Sequence, residues 1–283
     1  MTGYREENKL IMDKNAPIGV FDSGVGGLTV AREIMRQIPN ERIVYFGDTA
    51  RVPYGSKSKD NIIKFSRQII RFLQTENVKA IVIACNTASA LALDEMQQEF
   101  DLPILGVVKP GAKVAVETTA NKRIGLIGTE ANIRSGVYTR YIKSLDDEAK
   151  VFEKACPLFV PLVEEGWLHD DITLQVSSRY LEELKEKDID TLIMGCTHYP
   201  LIRSTIRKVM GDKVNLVNPA YETAIELKNL LERDNLANKC DVDSPSSMYR
   251  FYVSDAEEKF KLFANSILPF DITMTKQINI ENY

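Results

Sequence analysis

Two cysteines in this sequence stand in matching contexts that suit proton transfer. Cys85 follows the apolar run 80–84, and Cys196 follows the run 191–195. Each run predicts a buried strand, and the polar residues after each cysteine predict the start of a helix. A helix N-terminus lowers the pKa of a thiol towards neutrality, so such a cysteine can act as a base and as an acid. The carboxyl ends of strands are also where open α/β sheets bind their ligands.

Cysteine has a second, purely structural interpretation, because it is among the most buried residue types and often fills space after a strand. The repeated context favours the chemical interpretation for Cys85 and Cys196. Cys156 precedes a proline in an apolar stretch and is predicted to be structural, whereas Cys240 lies between Lys239 and Asp241 and is predicted to be a surface thiol. With four cysteines, no CxxC pair and two histidines, neither a disulfide framework nor a His-rich metal centre is expected.

Other polar residues also follow predicted strands. Asp22 and Ser23 open a glycine-rich turn whose backbone N–H groups could approach a carboxylate or a phosphate. The segment Pro-Tyr-Gly-Ser at 53–56 offers N–H and hydroxyl donors. His198, two residues after Cys196, could polarise a thiol or protonate a leaving group. Each of these has an ordinary structural explanation when taken alone: a packing turn, a β-turn or a helix cap.

The elements that must position these residues form two similar series. Short apolar runs alternate with segments of helical period, which is typical of parallel α/β folds. The predicted strands lie at 18–21, 42–46, 79–84, 104–108, 123–127, 191–194 and 214–217. The first strands of the two series start at Ile18 and Ile124, a spacing close to that between Cys85 and Cys196. The sequence therefore predicts two related α/β halves with mainly parallel sheets.

The boundary between the halves is predicted near Pro110, because proline suits the first turn of a helix. Residues after about 222 are predicted to return to the first half, since 249–253 has the pattern of a strand. The predicted first domain comprises 1–111 and 222–283, with 1–15 as a flexible arm, and the predicted second domain comprises 112–221.

Charge and hydropathy exclude several classes of function. The 36 Lys and Arg residues against 40 Asp and Glu residues give a net charge of −4, so no global positive field attracts nucleic acid or an anionic membrane. Neither a signal peptide nor a membrane span is expected. A cytoplasmic enzyme or binding protein remains. A nicotinamide-dependent dehydrogenase is an alternative, since Asp48 lies where a ribose-binding acid belongs, although Thr29 replaces the third glycine of the fingerprint.

Four ordered motifs make the sequence resemble glutamate racemases. They are D-S-G-x-G-G at 22–27, P-Y-G at 53–55, C-N-T-A at 85–88 and G-C-T-H-Y-P at 195–200. The resemblance, from about Pro17 to Asn218, implies two α/β domains related by a pseudo-twofold axis, with the active site in the cleft between them. It also implies a cytoplasmic homodimer that supplies D-glutamate for peptidoglycan synthesis and uses no pyridoxal phosphate, metal or nucleotide.

The resemblance also assigns roles to residues of this chain. Cys85 would be the base toward D-glutamate and Cys196 the base toward L-glutamate, each acting as the acid in the other direction. Asp22 and His198 would assist proton transfer, and Glu164 would join His198, with the adjacent Glu165 as the alternative helper. The substrate would be bound by Asp22, Ser23, Pro53, Tyr54, Gly55, Ser56, Cys85, Asn86, Thr87, Cys196, Thr197 and His198.

Two further alternatives stay open. One is a racemase of aspartate or a related diacid, although the His198 that follows Cys196 and Thr197 favours glutamate by resemblance. The other is a two-lobed module that closes on an amino acid without changing it, which would not need two cysteines at matching strand ends. Asn132 departs from the pattern, since it stands where the family commonly has Thr.

Overall fold

The computed structural model describes residues 13–239, 248–272 and 274–283. Its strands are β1 (Ile18–Asp22), β2 (Ile43–Gly47), β3 (Ala80–Ile83), β4 (Ile104–Gly106), β5 (Arg123–Gly128), β6 (Lys150–Ala155), β7 (Thr191–Gly195), β8 (Asn215–Val217), β9 (Tyr249–Val253) and β10 (Thr275–Gln277). Its helices are α1 (Leu28–Gln37), α2 (Lys59–Thr75), α3 (Asn86–Glu99), α4 (Val108–Thr118), α5 (Glu130–Ser135), α6 (Val137–Leu145), α7 (Phe159–Glu164), α8 (Asp171–Lys185), α9 (Arg203–Met210), α10 (Pro219–Arg233) and α11 (Glu257–Ile267).

The strands form two parallel sheets with the same core topology. The first sheet has the order β10-β9-β2-β1-β3-β4, and the second has the order β6-β5-β7-β8. The four strands β2-β1-β3-β4 and the four strands β6-β5-β7-β8 thus share one arrangement, and all their pairings are parallel. The predicted fold class, two related α/β halves with parallel sheets, is confirmed.

Helices cover both faces of each sheet, and successive apolar side chains of the central strands point to opposite faces. Ile18 and Val20 of β1 pack into a core formed with α1, α10 and α11. Phe21 packs on the opposite face, in a core formed with α2 and α3. The second sheet has the same layering, with α8 and α9 on one face and α4 and α6 on the other.

The chain leaves and re-enters the first half through helices. The predicted boundaries at 111/112 and 221/222 fall inside α4 and α10, and this division into domains stays a prediction. After α10, strands β9 and β10 extend the first sheet beyond β2. Of the predicted arm, Lys14 donates to Asn235 and accepts a hydrogen bond from Lys79, so this part is tied to the first half. Residues 1–12 and Cys240 lie outside the described residues.

Three details differ from the sequence-based expectations. The edge strand β6 was not predicted, because its residues are exposed or half-buried and three of its six are charged. The strand predicted at 104–108 ends at Gly106, since α4 already begins at Val108. The helix expected directly after Cys196 begins only at Arg203, after a 3₁₀ turn at Tyr199–Ile202.

None of the helices in the described part of the chain has the length and the apolar character of a membrane span.

Candidate active site

The strand register brings the predicted site residues of each half to the edge of its sheet that is formed by the carboxyl ends of the strands. In the first sheet, Phe21 pairs with Ile83, so the turn after Asp22 lies beside the turn that carries Cys85. In the second sheet, Gly128 pairs with Gly195, so the turn after β5 lies beside Cys196. These two edges face each other across a cleft.

A closed cavity of about 50 Å³ lies in this cleft and is lined by both halves. Its walls contain both cysteines and the polar residues that follow them. The lining residues are Ser23, Gly24, Val52, Pro53, Tyr54, Gly55, Cys85, Asn86, Thr87, Thr129, Val160, Glu164, Cys196, Thr197 and His198. The cavity has room for a few water molecules, which is less than an amino acid with two carboxylates needs.

Cys85 itself caps helix α3, a position that the sequence had suggested for Asn86 or Thr87. Its Sγ accepts a hydrogen bond from the backbone N–H of Ala88 at 3.5 Å. The expectation of a thiol pKa near neutrality is wrong for Cys85 in this closed structure. Burial and the neighbouring Asp22 raise the pKa of the thiol to about 12, although the hydrogen bonds from Ala88 and Ser23 act in the opposite direction.

Cys196 is paired with a histidine rather than with a helix end. His198 Nδ1 lies 3.8 Å from Cys196 Sγ, and His198 Nε2 lies 3.1 Å from Glu164 Oε1 at the end of α7. Although burial lowers the pKa of His198, the hydrogen bonds to Cys196 and Glu164, together with the charges of Cys196 and Asp22, raise it to about 10. The hydrogen bond from His198 lowers the pKa of Glu164. The arrangement forms a thiol–imidazole–carboxylate series on one side of the cavity.

Asp22 lies behind the cavity wall next to Cys85, and it is fully buried. Its Oδ2 accepts a hydrogen bond from Gly24 N–H at 3.0 Å, while Oδ1 has no hydrogen-bond partner among the described residues. Burial raises the pKa of this carboxyl, against the opposing effects of His198 and of the backbone N–H groups around it. The turn needs glycine at Gly27, since a Cβ atom there would overlap the Asp22 side chain.

The remaining predicted binding residues divide by position. Those that line the cavity are Ser23, Pro53, Tyr54, Gly55, Asn86, Thr87 and Thr197. Ser56 does not line it and faces an adjoining surface cavity. The Tyr54 hydroxyl donates to Asp48 Oδ2 at 2.5 Å, so its ring supports the wall rather than offering a free donor. Between the two candidate helpers, Glu164 contacts His198, whereas Glu165 is exposed and lines a different surface cavity.

Asp48, which had suggested a ribose-binding acid, is occupied within the protein. Arg51 Nε and the Tyr54 hydroxyl reach its Oδ2 at 2.7 and 2.5 Å, and Ser254 donates to its Oδ1 at 2.8 Å. Both carboxylate oxygens are therefore satisfied in a buried network that holds the 53–56 turn in place. This geometry removes the feature that favoured a dehydrogenase.

Several residues at the site were not predicted from the sequence. Thr129 lines the cavity, and its Oγ1 lies 2.9 Å from that of Thr87. Asn132 donates through Nδ2 to the carbonyl of Gly195 at 2.9 Å, directly before Cys196. A threonine after a glycine, as at Thr129, is a weak sequence signal, because it also occurs as an ordinary helix cap. Only the tertiary structure shows that Thr129 and Asn132 belong to the site.

Comparison with known proteins identifies the family. The family model described as Asp/Glu/Hydantoin racemase matches residues 18–225, which is most of the chain. The chain belongs to the Asp/Glu/hydantoin racemase family. This racemase is 43% identical over 264 residues to the glutamate racemase of Geobacter metallireducens, an alignment that covers 93% of this chain and 97% of that protein.

Solved structures agree with this assignment. A glutamate racemase isoform from Bacillus anthracis matches with a TM-score of 0.89 at 39% identity, covering 94% of this chain and 98% of that one. The glutamate racemase from Francisella tularensis, solved in complex with D-glutamate, matches with a TM-score of 0.88 at 38% identity, covering 95% of this chain and 100% of that one. The predicted resemblance is confirmed, and the racemase is an enzyme of the isomerase class.

Proposed function

We propose that this racemase interconverts L- and D-glutamate by proton transfer between two cysteines, without a cofactor. The observation that carries the proposal is the placement of Cys85 and Cys196, one from each half, in the wall of the same closed cavity. Two thiols on opposite sides of a bound amino acid provide a base for one face of the α-carbon and an acid for the other. The relatives named as glutamate racemases support glutamate as the substrate.

In the L-to-D direction, the Cys196 thiolate takes the α-proton, and the Cys85 thiol gives its proton to the opposite face. This leaves Cys196 as a thiol and Cys85 as a thiolate, which is the state required for the reverse reaction. His198, paired with Glu164, stabilises the thiolate of Cys196. Asp22, which lies next to Cys85, assists proton transfer at this cysteine, and burial raises the pKa of its carboxyl.

The donors around the cavity suit an anionic substrate. Removal of the α-proton places more negative charge on an amino acid that already carries two carboxylates. The hydroxyls and backbone N–H groups of Ser23, Thr87 and Thr197 are preorganised at turns next to the catalytic residues, where such donors stabilise developing charge.

The first experiment is racemisation in D₂O by purified, metal-stripped protein under reducing conditions. We expect L-glutamate to give D-glutamate that carries deuterium at the α-carbon, and aspartate to react far more slowly. Cys85→Ser and Cys196→Ser should each lower kcat/KM by about 10²–10⁴-fold, because each removes an acid–base group. The decrease should be equal for the two enantiomers, since their equilibrium constant is one.

Cys156→Ser is the matched control for these variants. Cys156 is fully buried in the core of the second half but does not line the cavity. We expect it to retain racemisation within a few-fold of the wild type. A wild-type rate in both directions in either Cys85→Ser or Cys196→Ser would contradict the two-thiol mechanism. Faster turnover of aspartate than of glutamate would show that glutamate is not the preferred substrate.

The cellular setting of this proposal comes from the resemblance to the family. We propose a cytoplasmic homodimer whose D-glutamate enters peptidoglycan synthesis, in keeping with the bacterial sources of the relatives. Sedimentation velocity tests the dimer, and D-glutamate auxotrophy after deletion of the gene tests the role in the cell wall.

A further inference from the structure

Two buried hydroxyl groups reach across the cleft to the residues that directly follow the cysteines. The Tyr138 hydroxyl, on α6 of the second half, donates to Asn86 Oδ1 at 2.7 Å. Thr29 Oγ1, on α1 of the first half, donates to the backbone carbonyl of Thr197 at 2.9 Å, in a hydrogen bond that it shares with the carbonyl of Gly26. Asn86 follows Cys85, and Thr197 follows Cys196. Each half thus holds the cysteine turn of the other half by one hydrogen bond.

We propose that Tyr138 and Thr29 are positioning residues, and that their crossed hydrogen bonds fix the two cysteine turns relative to each other. Tyr138 and Thr29 are each 1% exposed, so neither competes with bulk water for its partner. Both lie in helical segments that come soon after the first strand of their half, which makes the two contacts approximate counterparts. The inference rests on the proposed two-cysteine function and adds to it how the distance between the thiols is held.

Tyr138 controls the orientation of an amide in the wall of the cavity. The hydroxyl of Tyr138 is a donor to Oδ1 of Asn86, so the amide NH₂ group remains available on the side of the cavity that Asn86 lines. Without this donor the amide could rotate, and its oxygen would be presented to an anionic substrate. Loss of the Tyr138 hydroxyl should therefore weaken substrate binding and raise KM.

Thr29 holds the turn of Cys196 against the glycine-rich turn of the first half. Its Oγ1 lies 2.9 Å from the carbonyls of both Gly26 and Thr197. The two turns are in close contact, since a Cβ atom at Gly26 would overlap Thr197 and His198. A small displacement of Cys196 alters the alignment of the reacting atoms, to which proton transfer is sensitive. Loss of the Thr29 hydroxyl should therefore lower kcat.

The test for Tyr138 is the variant Tyr138→Phe, which removes the hydroxyl and keeps the ring. We expect KM for both glutamate enantiomers to rise about tenfold, with a smaller change in kcat, because one buried hydrogen bond next to the substrate is lost. Tyr141→Phe, on the same helix, is the matched control and should leave KM within twofold of the wild type.

The test for Thr29 is a pair of variants. Thr29→Val keeps the shape and removes the donor, and it should lower kcat about tenfold with a smaller change in KM. Thr29→Ser restores the hydroxyl and should recover most of the lost kcat. Thermal unfolding of every variant is measured together with the kinetics.

The outcomes separate this inference from the proposed function. If the wild-type protein does not racemise glutamate, the proposed function itself is wrong. Racemisation by the wild type together with unchanged KM in Tyr138→Phe and unchanged kcat in Thr29→Val would overturn the positioning roles alone. A lower unfolding temperature with unchanged kinetics would assign these hydroxyls to stability only. No recovery of kcat in Thr29→Ser would show that the hydroxyl of Thr29 does not position Cys196.

Discussion

His198 connects the chemistry of a single residue to the stability of the protein. Hydrogen bonds to Cys196 and Glu164 hold its pKa at about 10, although burial acts in the opposite direction. An unfolded histidine has a pKa of about 6.5. Because the folded pKa is the higher one, the protonated imidazole stabilises the fold fully below about pH 6.5, and this contribution is lost as the pH rises towards 10.

The prediction is that His198→Asn destabilises the protein more at pH 6 than at pH 9.5. Urea unfolding of the wild type and the variant at both pH values measures the difference in midpoint. His169→Asn, which changes the exposed histidine, is the control and should show no comparable pH dependence. An equal difference in midpoint at pH 6 and pH 9.5 would show that protonated His198 does not stabilise the fold.

The sequence located the residues that line the cavity better than it described their environments. Cys85, Cys196 and His198 could be predicted because strand ends and turn residues are local features. The raised pKa of Cys85 could not, since it comes from burial and from Asp22, which is 63 positions earlier in the chain. Tyr138 gave no signal, because a tyrosine on an amphipathic helix is an ordinary core residue until its hydroxyl is seen to reach Asn86.

The first sheet carries a buried ion pair at the amino ends of its strands, opposite the site. Lys79, directly before β3, places Nζ 2.5 Å from Glu41 Oε2 near the start of β2, and its side chain is 0% exposed. Nζ also donates to the carbonyls of Lys14 and Leu236. The pair thus ties the starts of two central strands to the N-terminal segment and to the loop after α10.

The prediction is that Lys79→Met lowers the free energy of unfolding by about 3–5 kcal/mol, because Glu41 is then buried without its partner. The double variant Lys79→Met/Glu41→Gln should recover most of this loss, since no buried charge remains and an acceptor is kept for the Asn238 N–H. Urea unfolding measures both effects. Racemisation by the folded protein should be unchanged, and an equal loss of stability in the single and double variants would contradict the role of the charge.

Complete burial makes a strand easy to predict from the sequence. Strands β1, β3 and β7 have every residue buried, so their apolar runs identify them from the sequence. Strand β6 lies at the edge of its sheet, and all its positions are exposed or half-buried. Its pairing with β5, rather than its own composition, makes it a strand, which is why the sequence did not predict it.

The size of the cavity between the two halves leads us to expect that the halves separate when a substrate enters. The closed cavity between them measures about 50 Å³, whereas two surface cavities beside it measure about 660 and 380 Å³. Val52 and Glu164 line all three, so they stand between the two cysteines and solvent. Because the cavity between the two cysteines is this small, we expect the wall formed by both halves to open when the substrate enters.

A disulfide across the cleft would test this opening. Gly55 belongs to the first half and Thr129 to the second, and a Cβ atom built at Gly55 would lie 3.0 Å from Thr129 Cβ. This spacing is slightly below the usual ~3.5–4.5 Å of a disulfide, so a small adjustment allows Gly55→Cys/Thr129→Cys to crosslink the closed state.

We predict that the oxidised double variant racemises glutamate at least tenfold more slowly than the same protein after reduction, because the crosslink blocks substrate entry. Mass spectrometry confirms the bond, and the wild type treated with the same oxidant controls for damage to Cys85 and Cys196. The single variant Thr129→Cys controls for loss of the threonine that caps α5. Equal rates for the fully crosslinked and the reduced protein would mean that substrate reaches the thiols without separation of the halves at this edge.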